Sequence, residues 1–240
     1  MIVALLTSVS AYAQETKPQE WSANVGLSGV MNTGNSVNQT IAGSSLVSYK
    51  QDKNQITWNA GGAYGRAKDN ATGITSTNSK NWLSQIRYDR FLTEIFSLYG
   101  LGHIGQNELA GFDLRYGTSA GYSHFLYKTD ATGFKYELGF DVTQENRVTP
   151  PDATIYSART FLQYTHKFSE TASLGQDAEG LFNVRQGEDY RINTLTSLNL
   201  KLTQKVAFQV GYAIRFDNVP VPGFKKVDTI TQLGLNVNFL

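Results

Sequence analysis

Charged side chains recur at alternate positions in stretches whose intervening residues are apolar. They are Arg87, Asp89, Asp113, Arg115, Lys135, Glu137, Asp141, Arg159, Asp177, Glu179, Arg191, Lys201 and Arg215. Groups spaced by two along an extended chain share a face, and neighbouring strands can set Arg and Lys against Asp and Glu. Such pairs lining a wet interior have two uses. They set ion or solute selectivity, or they form a network that fills and plugs the space. The residues alone weigh these evenly. Tyr99, Arg115 and the loop residues Asp69, Asn70, Arg147 and Lys225 are further candidates for contact with a solute.

Other chemistries find little support. The three histidines, His103, His124 and His166, form neither an H-x-x-x-H pair nor an H-E-x-x-H run, so no metal site is expected. Ser123 stands beside His124. Adjacent residues of a strand point to opposite faces, so the two do not make a nucleophile and base. No catalytic residue and no cofactor is expected. A formal net charge of +1 gives no basic face for nucleic acid. The absence of cysteine leaves no role for disulfides.

The elements that would carry these charges alternate with a period of two. Leu114, Tyr116, Ala120 and Tyr122 oppose Arg115, Ser119 and Ser123; Phe134, Tyr136, Leu138, Phe140 and Val142 oppose Lys135, Glu137 and Asp141. The pattern holds for twelve stretches between Glu20 and Leu240, and no helical period of useful length interrupts it. One stretch is ambiguous: between Ile95 and Gln106, Phe96, Leu98 and Ile104 compete with Tyr99 and Leu101 for the apolar face. Connections alternate in length. Gln51 to Asn54, Thr93-Glu94, Lys128 to Gly133, Ser169-Glu170 and Thr203-Gln204 are short, whereas Lys68 to Ser79, Glu145 to Ala153 and Asn218 to Lys226 are longer.

An even set of about twelve strands with short turns at one end and longer loops at the other predicts an all-β, transmembrane antiparallel up-and-down β-barrel over residues 20–240. Twelve strands are too many for a well-filled soluble barrel. The charged face therefore points inward and the apolar face toward lipid. Tyr49, Trp82, Tyr127, Phe168, Tyr190, Phe216 and Phe239 fall near strand ends, where interfacial girdles form. The first thirteen residues, MIVALLTSVSAYA, are apolar and end in Ala-Tyr-Ala. They are expected to be a signal peptide whose charged start lies upstream of Met1, followed by a polar segment at 14–19.

Three stretches carry a family resemblance: LSGVMNTGNSVNQ at 27–39, RYDRFLTEIFSLYG at 87–100 and NELAGFDLRYGTSAG at 107–121. With the closing strand, they make the chain resemble the YdiY-like, salt-induced outer-membrane proteins, DUF481. The resemblance implies a β-barrel in the bacterial outer membrane and a link to salt or osmotic stress, but no reaction. A narrow pore or solute channel is expected, with a non-conducting structural or surface-interaction barrel as the alternative and a lipid hydrolase as the least favoured. Its partners would be outer-membrane lipid, lipopolysaccharide and the assembly machinery. The last strand also resembles the signal read by that machinery, through Gln232, Gly234, Val237 and Phe239.

Overall fold

The computed structural model describes residues 21–32, 36–69 and 72–239. The expected signal peptide, the polar segment after it, the Thr33-Gly34-Asn35 turn, Asn70 and Leu240 lie outside the described residues. Twelve strands follow in order: β1 (Trp21–Asn32), β2 (Ser36–Gln51), β3 (Asn54–Asp69), β4 (Thr75–Phe91), β5 (Phe96–Asn107), β6 (Phe112–Lys128), β7 (Thr132–Arg147), β8 (Ala153–Lys167), β9 (Ala172–Asn183), β10 (Tyr190–Lys201), β11 (Val206–Asp217) and β12 (Val227–Asn238). A single 3-10 turn, Glu108–Ala110, sits between β5 and β6. Each strand pairs antiparallel with its sequence neighbours, and β12 closes on β1, giving a closed barrel without edges.

The sheet is inside out relative to a soluble protein. Ile41 is 73% exposed, Leu27 66% and Ile86 57%, all on the outer face, while Glu137 is fully buried. Most of the buried residues are polar or charged. In water such an apolar belt would drive aggregation, and in lipid it is the required surface. A twelve-residue strand at about 3.4 Å per residue and about 40° tilt rises roughly 30 Å, the thickness of a hydrocarbon core. No helix among the described residues is long and apolar enough to cross a membrane, which says nothing against crossing by strands. Girdle residues meet across strands at the rims: Trp21 and Tyr49 have ring centroids 4.6 Å apart, and Tyr190 and Phe216 5.6 Å.

Two features differ from the expectation, and one ambiguity is resolved. The loop expected from Lys68 to Ser79 is shorter, because pairing continues until Lys68 lies opposite Thr75. Those residues stand beyond the apolar belt, so their side chains no longer alternate although their backbones still pair. The ambiguous fifth strand has Leu98 and Ile104 outward, at 46% and 42% exposure, and Tyr99 buried inside. Asp113 is not a lumen residue. The β6–β7 register shifts between Phe112 and Leu114, so Phe112 is buried and Asp113 is exposed. A bulge adds a residue and breaks the period of two, which alternation alone cannot reveal.

Candidate functional site

Inward-facing charge is concentrated on one side of the barrel. On β1, β2 and β3 the mid-barrel wall includes the small residues Gly26, Ser28, Ala42, Ser44, Gly61 and Ala63, and the charge of Lys50 stands near the short-turn rim over the Phe91 ring. The strands from β4 to β11 carry the long polar side chains, and these gather into two clusters.

The first centres on Glu137. One oxygen of its carboxylate accepts hydrogen bonds from Arg87 at 3.1 Å and Arg159 at 2.9 Å, and the other lies in ion-pair contact with Arg87 at 2.9 Å and Lys135 at 3.0 Å. Arg87 also grips Asp89 through two bonds of 2.7 Å, and Arg159 donates to Glu179 at 2.8 Å. Tyr99 sits between the two guanidinium groups. Their centres lie 4.4 Å (Arg87) and 5.4 Å (Arg159) from its ring, and its hydroxyl accepts from Arg159 at 2.9 Å. Glu137, Tyr99 and Arg159 are all buried, so side chains pack closely on this side of the lumen. A triply paired carboxylate tolerates burial because each desolvated oxygen meets a cation.

Two glycines make this reach possible. Tyr99 lies opposite Gly121, Gly121 opposite Gly139, and Gly139 opposite Arg159, a row across four strands. A Cβ at Gly139 would stand 2.4 Å from the Tyr99 hydroxyl and 2.5 Å from the Ala120 carbonyl oxygen; at Gly121 it would stand 2.2 Å from the Leu138 carbonyl oxygen. The Tyr99 hydroxyl therefore passes over the bare backbone of Gly139 and arrives at Arg159. Gly139→Ala is expected to push Tyr99 away from Arg159 and to lower stability by about 2 kcal/mol, the cost of overpacking. The urea midpoint of the detergent-folded barrel measures this, and an unchanged midpoint would count against the close approach.

The second cluster lies toward the long-loop end. Glu145 is paired with Arg115 at 2.6 Å, Arg191 at 2.8 Å and Arg147 at 3.1 Å, and Arg191 reaches Asp217 at 3.3 Å. The Arg115 guanidinium stacks on Phe112 at 3.9 Å. Between the clusters is a cavity of about 350 Å³ that extends from Ser119, Asp141 and Glu179 in mid-barrel to the loop residues Leu109, Phe224, Lys225 and Lys226. Glu179 belongs to both features, lining the cavity and holding Arg159, so the Glu137 cluster forms the cavity's inner end. The β11–β12 loop leans over the mouth. Its Val221 is buried, and Val221 and Phe224 come so close to Gly111 that a Cβ there would meet them at 2.8 and 3.0 Å. Gly111 also has a positive φ of 91°, so two constraints favour glycine. Asn218 ties the same loop to the β9–β10 loop through the Glu188 carbonyl at 2.9 Å.

The remaining expected residues are placed as follows. Asp141 accepts from Ser119 at 2.6 Å and Thr143 at 2.7 Å inside the lumen. Asp177 accepts from Gln163 at 3.1 Å. Arg215 lines the cavity. Lys201 ends β10 and is exposed at the short-turn rim, so it joins neither cluster. Tyr99 and Arg115 face the lumen, Lys225 lines the cavity mouth, and Asp69 ends β3 at the long-loop rim. Ser123 is buried, while His124 bonds Tyr136 at 3.2 Å and packs on Phe96 in the outer girdle. Among the described residues no group of acidic or histidine side chains is arranged to hold a metal. Gln232 and Gly234 line a small void beside the β1–β12 seam, and Val237 lies opposite Val25. Tyr99 and its glycine row went unread as a unit, and its one sequence signal was an aromatic out of phase with its strand.

Comparison with known proteins bears on the fold. The COG4313 outer membrane channel from Pseudomonas putida F1 superposes with a TM-score of 0.57 at 12% identity, covering 97% of this chain and all of that one. The NanC porin superposes with a TM-score of 0.53 at 10% identity, covering 91% of this chain and all of that one. At such identities the likeness is one of fold. Comparison with curated sequences gives no significant match. The family model described as "Protein of unknown function, DUF481" matches residues 25–239, and the chain belongs to that family.

Proposed function

We propose that this protein is an outer-membrane channel whose lumen narrows to a side-chain latch built on Glu137. The observation that carries the reading is a closed barrel with an apolar outer belt and a polar interior, entered through a cavity at the long-loop end whose inner end adjoins the Glu137 cluster. The short turns would face the periplasm and the long loops the outside. Lipid and lipopolysaccharide would surround the belt, and the assembly machinery would read the closing strand. The link to salt or osmotic stress belongs to this reading through the family resemblance alone. The reading assigns no reaction, since Ser123 and His124 face opposite sides of the wall.

One observation favours a second reading, a permanently plugged barrel: Glu137, Tyr99 and Arg159 are buried in direct contact with one another. Planar-bilayer recordings separate the two. Small, brief openings are expected of the purified protein, and none over a wide voltage range would sink the channel reading.

A further inference from the structure

The geometry points to a binding site in the long-loop cavity for small carboxylates that carry an apolar body. The cavity's volume of about 350 Å³ lies in the range of small-molecule pockets, roughly 300–1,000 Å³. One part of its lining is apolar: Leu101, Leu109, Phe112, Leu181 and Phe224. The other part holds hydrogen-bond donors in surplus. Arg115, Arg191 and Arg215 all line the cavity; the Nε atoms of Arg115 and Arg215 are buried with no hydrogen-bond partner, while that of Arg191 has the Asp217 carboxylate at 3.3 Å. The two acids at the inner end are already supplied. Asp141 takes hydrogen bonds from Ser119 and Thr143, and Glu179 from Arg159 and Asn193.

Arg215 is the least provided for. It lies opposite Asp228 on β12 and feels the charges of Asp228 and Glu179, yet it takes part in none of the described ion pairs. Arg115 and Arg191, by contrast, are each held by Glu145. A buried guanidinium N–H without an acceptor is costly, and a carboxylate is the acceptor whose two oxygens match the guanidinium fork. A simple anion would satisfy the donor and leave the leucine and phenylalanine wall wet. A neutral apolar molecule would dry that wall and leave the donor unmet. Only a molecule with both parts answers both. This inference does not rest on conduction, because a closed barrel would bind such a molecule from the long-loop side equally well.

The test is calorimetric titration of the folded protein in detergent with three probes: benzoate, benzyl alcohol and acetate. Benzoate is expected to bind at one saturable site, and the other two at least tenfold more weakly. Arg215→Gln is expected to weaken benzoate at least tenfold without changing benzyl alcohol. Phe224 stands on a loop outside the barrel wall, so Phe224→Ala keeps the question open to an answer if the first variant fails to fold. It is expected to weaken benzoate about fivefold and leave acetate unchanged. Heat-modifiable migration on gels verifies the fold of each variant. Absence of saturable benzoate binding, equal binding of benzyl alcohol or acetate, or unchanged benzoate affinity in a folded variant would each overturn the assignment. A barrel that binds benzoate in this way and never conducts would keep the site and lose the channel.

Discussion

Glu137→Gln is expected to lower the stability of the folded barrel by about 3 kcal/mol, the low end of the cost of breaking a buried ion pair. The reason lies in what each cation keeps. Arg87 retains both bonds to Asp89, and Arg159 retains Glu179 and the Tyr99 hydroxyl. Lys135 loses the one carboxylate it is paired with among the described ion pairs. Three positive groups would then face a neutral amide, and their mutual repulsion would move the mobile side chains apart. The latch should loosen as the barrel weakens. In planar bilayers the variant is expected to open more often and to pass several times the current of the unaltered protein, with a preference for anions. Urea midpoints and single-channel recordings measure the two effects. A variant with unaltered stability and unaltered current would show that Glu137 does not hold the lumen closed.

Deletion of Val237 to Leu240 is expected to cut the membrane-assembled fraction at least tenfold while leaving synthesis unchanged. The β1–β12 ladder runs only from Asn24 opposite Asn238 to Ser28 opposite Gly234, whereas the β2–β3 ladder runs from Ser36 opposite Asp69 to Gln51 opposite Asn54. The deletion removes Asn238 and Val237 from that short seam. It also removes the bonds from the Phe239 amide to the Ala23 carbonyl at 3.0 Å and from the Asn238 amide to the Lys205 carbonyl at 2.8 Å. Backbone groups left unpaired near the membrane interface cost about 1–3 kcal/mol each, so the closing strand would lose on the order of several kcal/mol. Membrane fractionation with gels of boiled and unboiled samples reads the outcome. Normal amounts of heat-modifiable protein would mean that neither the seam nor an insertion signal depends on these residues.

The strands were legible because a sheet imposes a period of two and a membrane makes one face apolar throughout. Leu27, Ile41 and Ile86 stand outside as their positions in the alternation require. Where a local rule was broken, the sequence misled. The bulge at Asp113 exchanges it with Phe112, and neither residue type announces a bulge. Beyond the belt at Lys68 and Thr75 the apolar selection ends while hydrogen bonding continues, so the strands outrun their pattern. Tyr99 was hard to place because an aromatic in the lumen looks like an aromatic facing lipid. What distinguishes it is Gly121 opposite it in the ladder and Gly139 under its hydroxyl, supplied by two other strands.

Outside β5 and the bulge at Asp113, the sequence by itself determined which residues share a face and that one face carries charges of both signs. It did not determine which charges meet. Arg87 pairs with Glu137 fifty residues away, and Arg159 reaches Tyr99 across sixty. Those strands are not neighbours in the sheet. Their side chains meet because the curvature of the closed barrel brings β4 toward β7 and β5 toward β8, and the stagger of the strands sets them at one height. Alternation is a property of each strand alone, and only the closed tertiary structure fixes the curvature and stagger that turn a row of charges into a latch and a cavity.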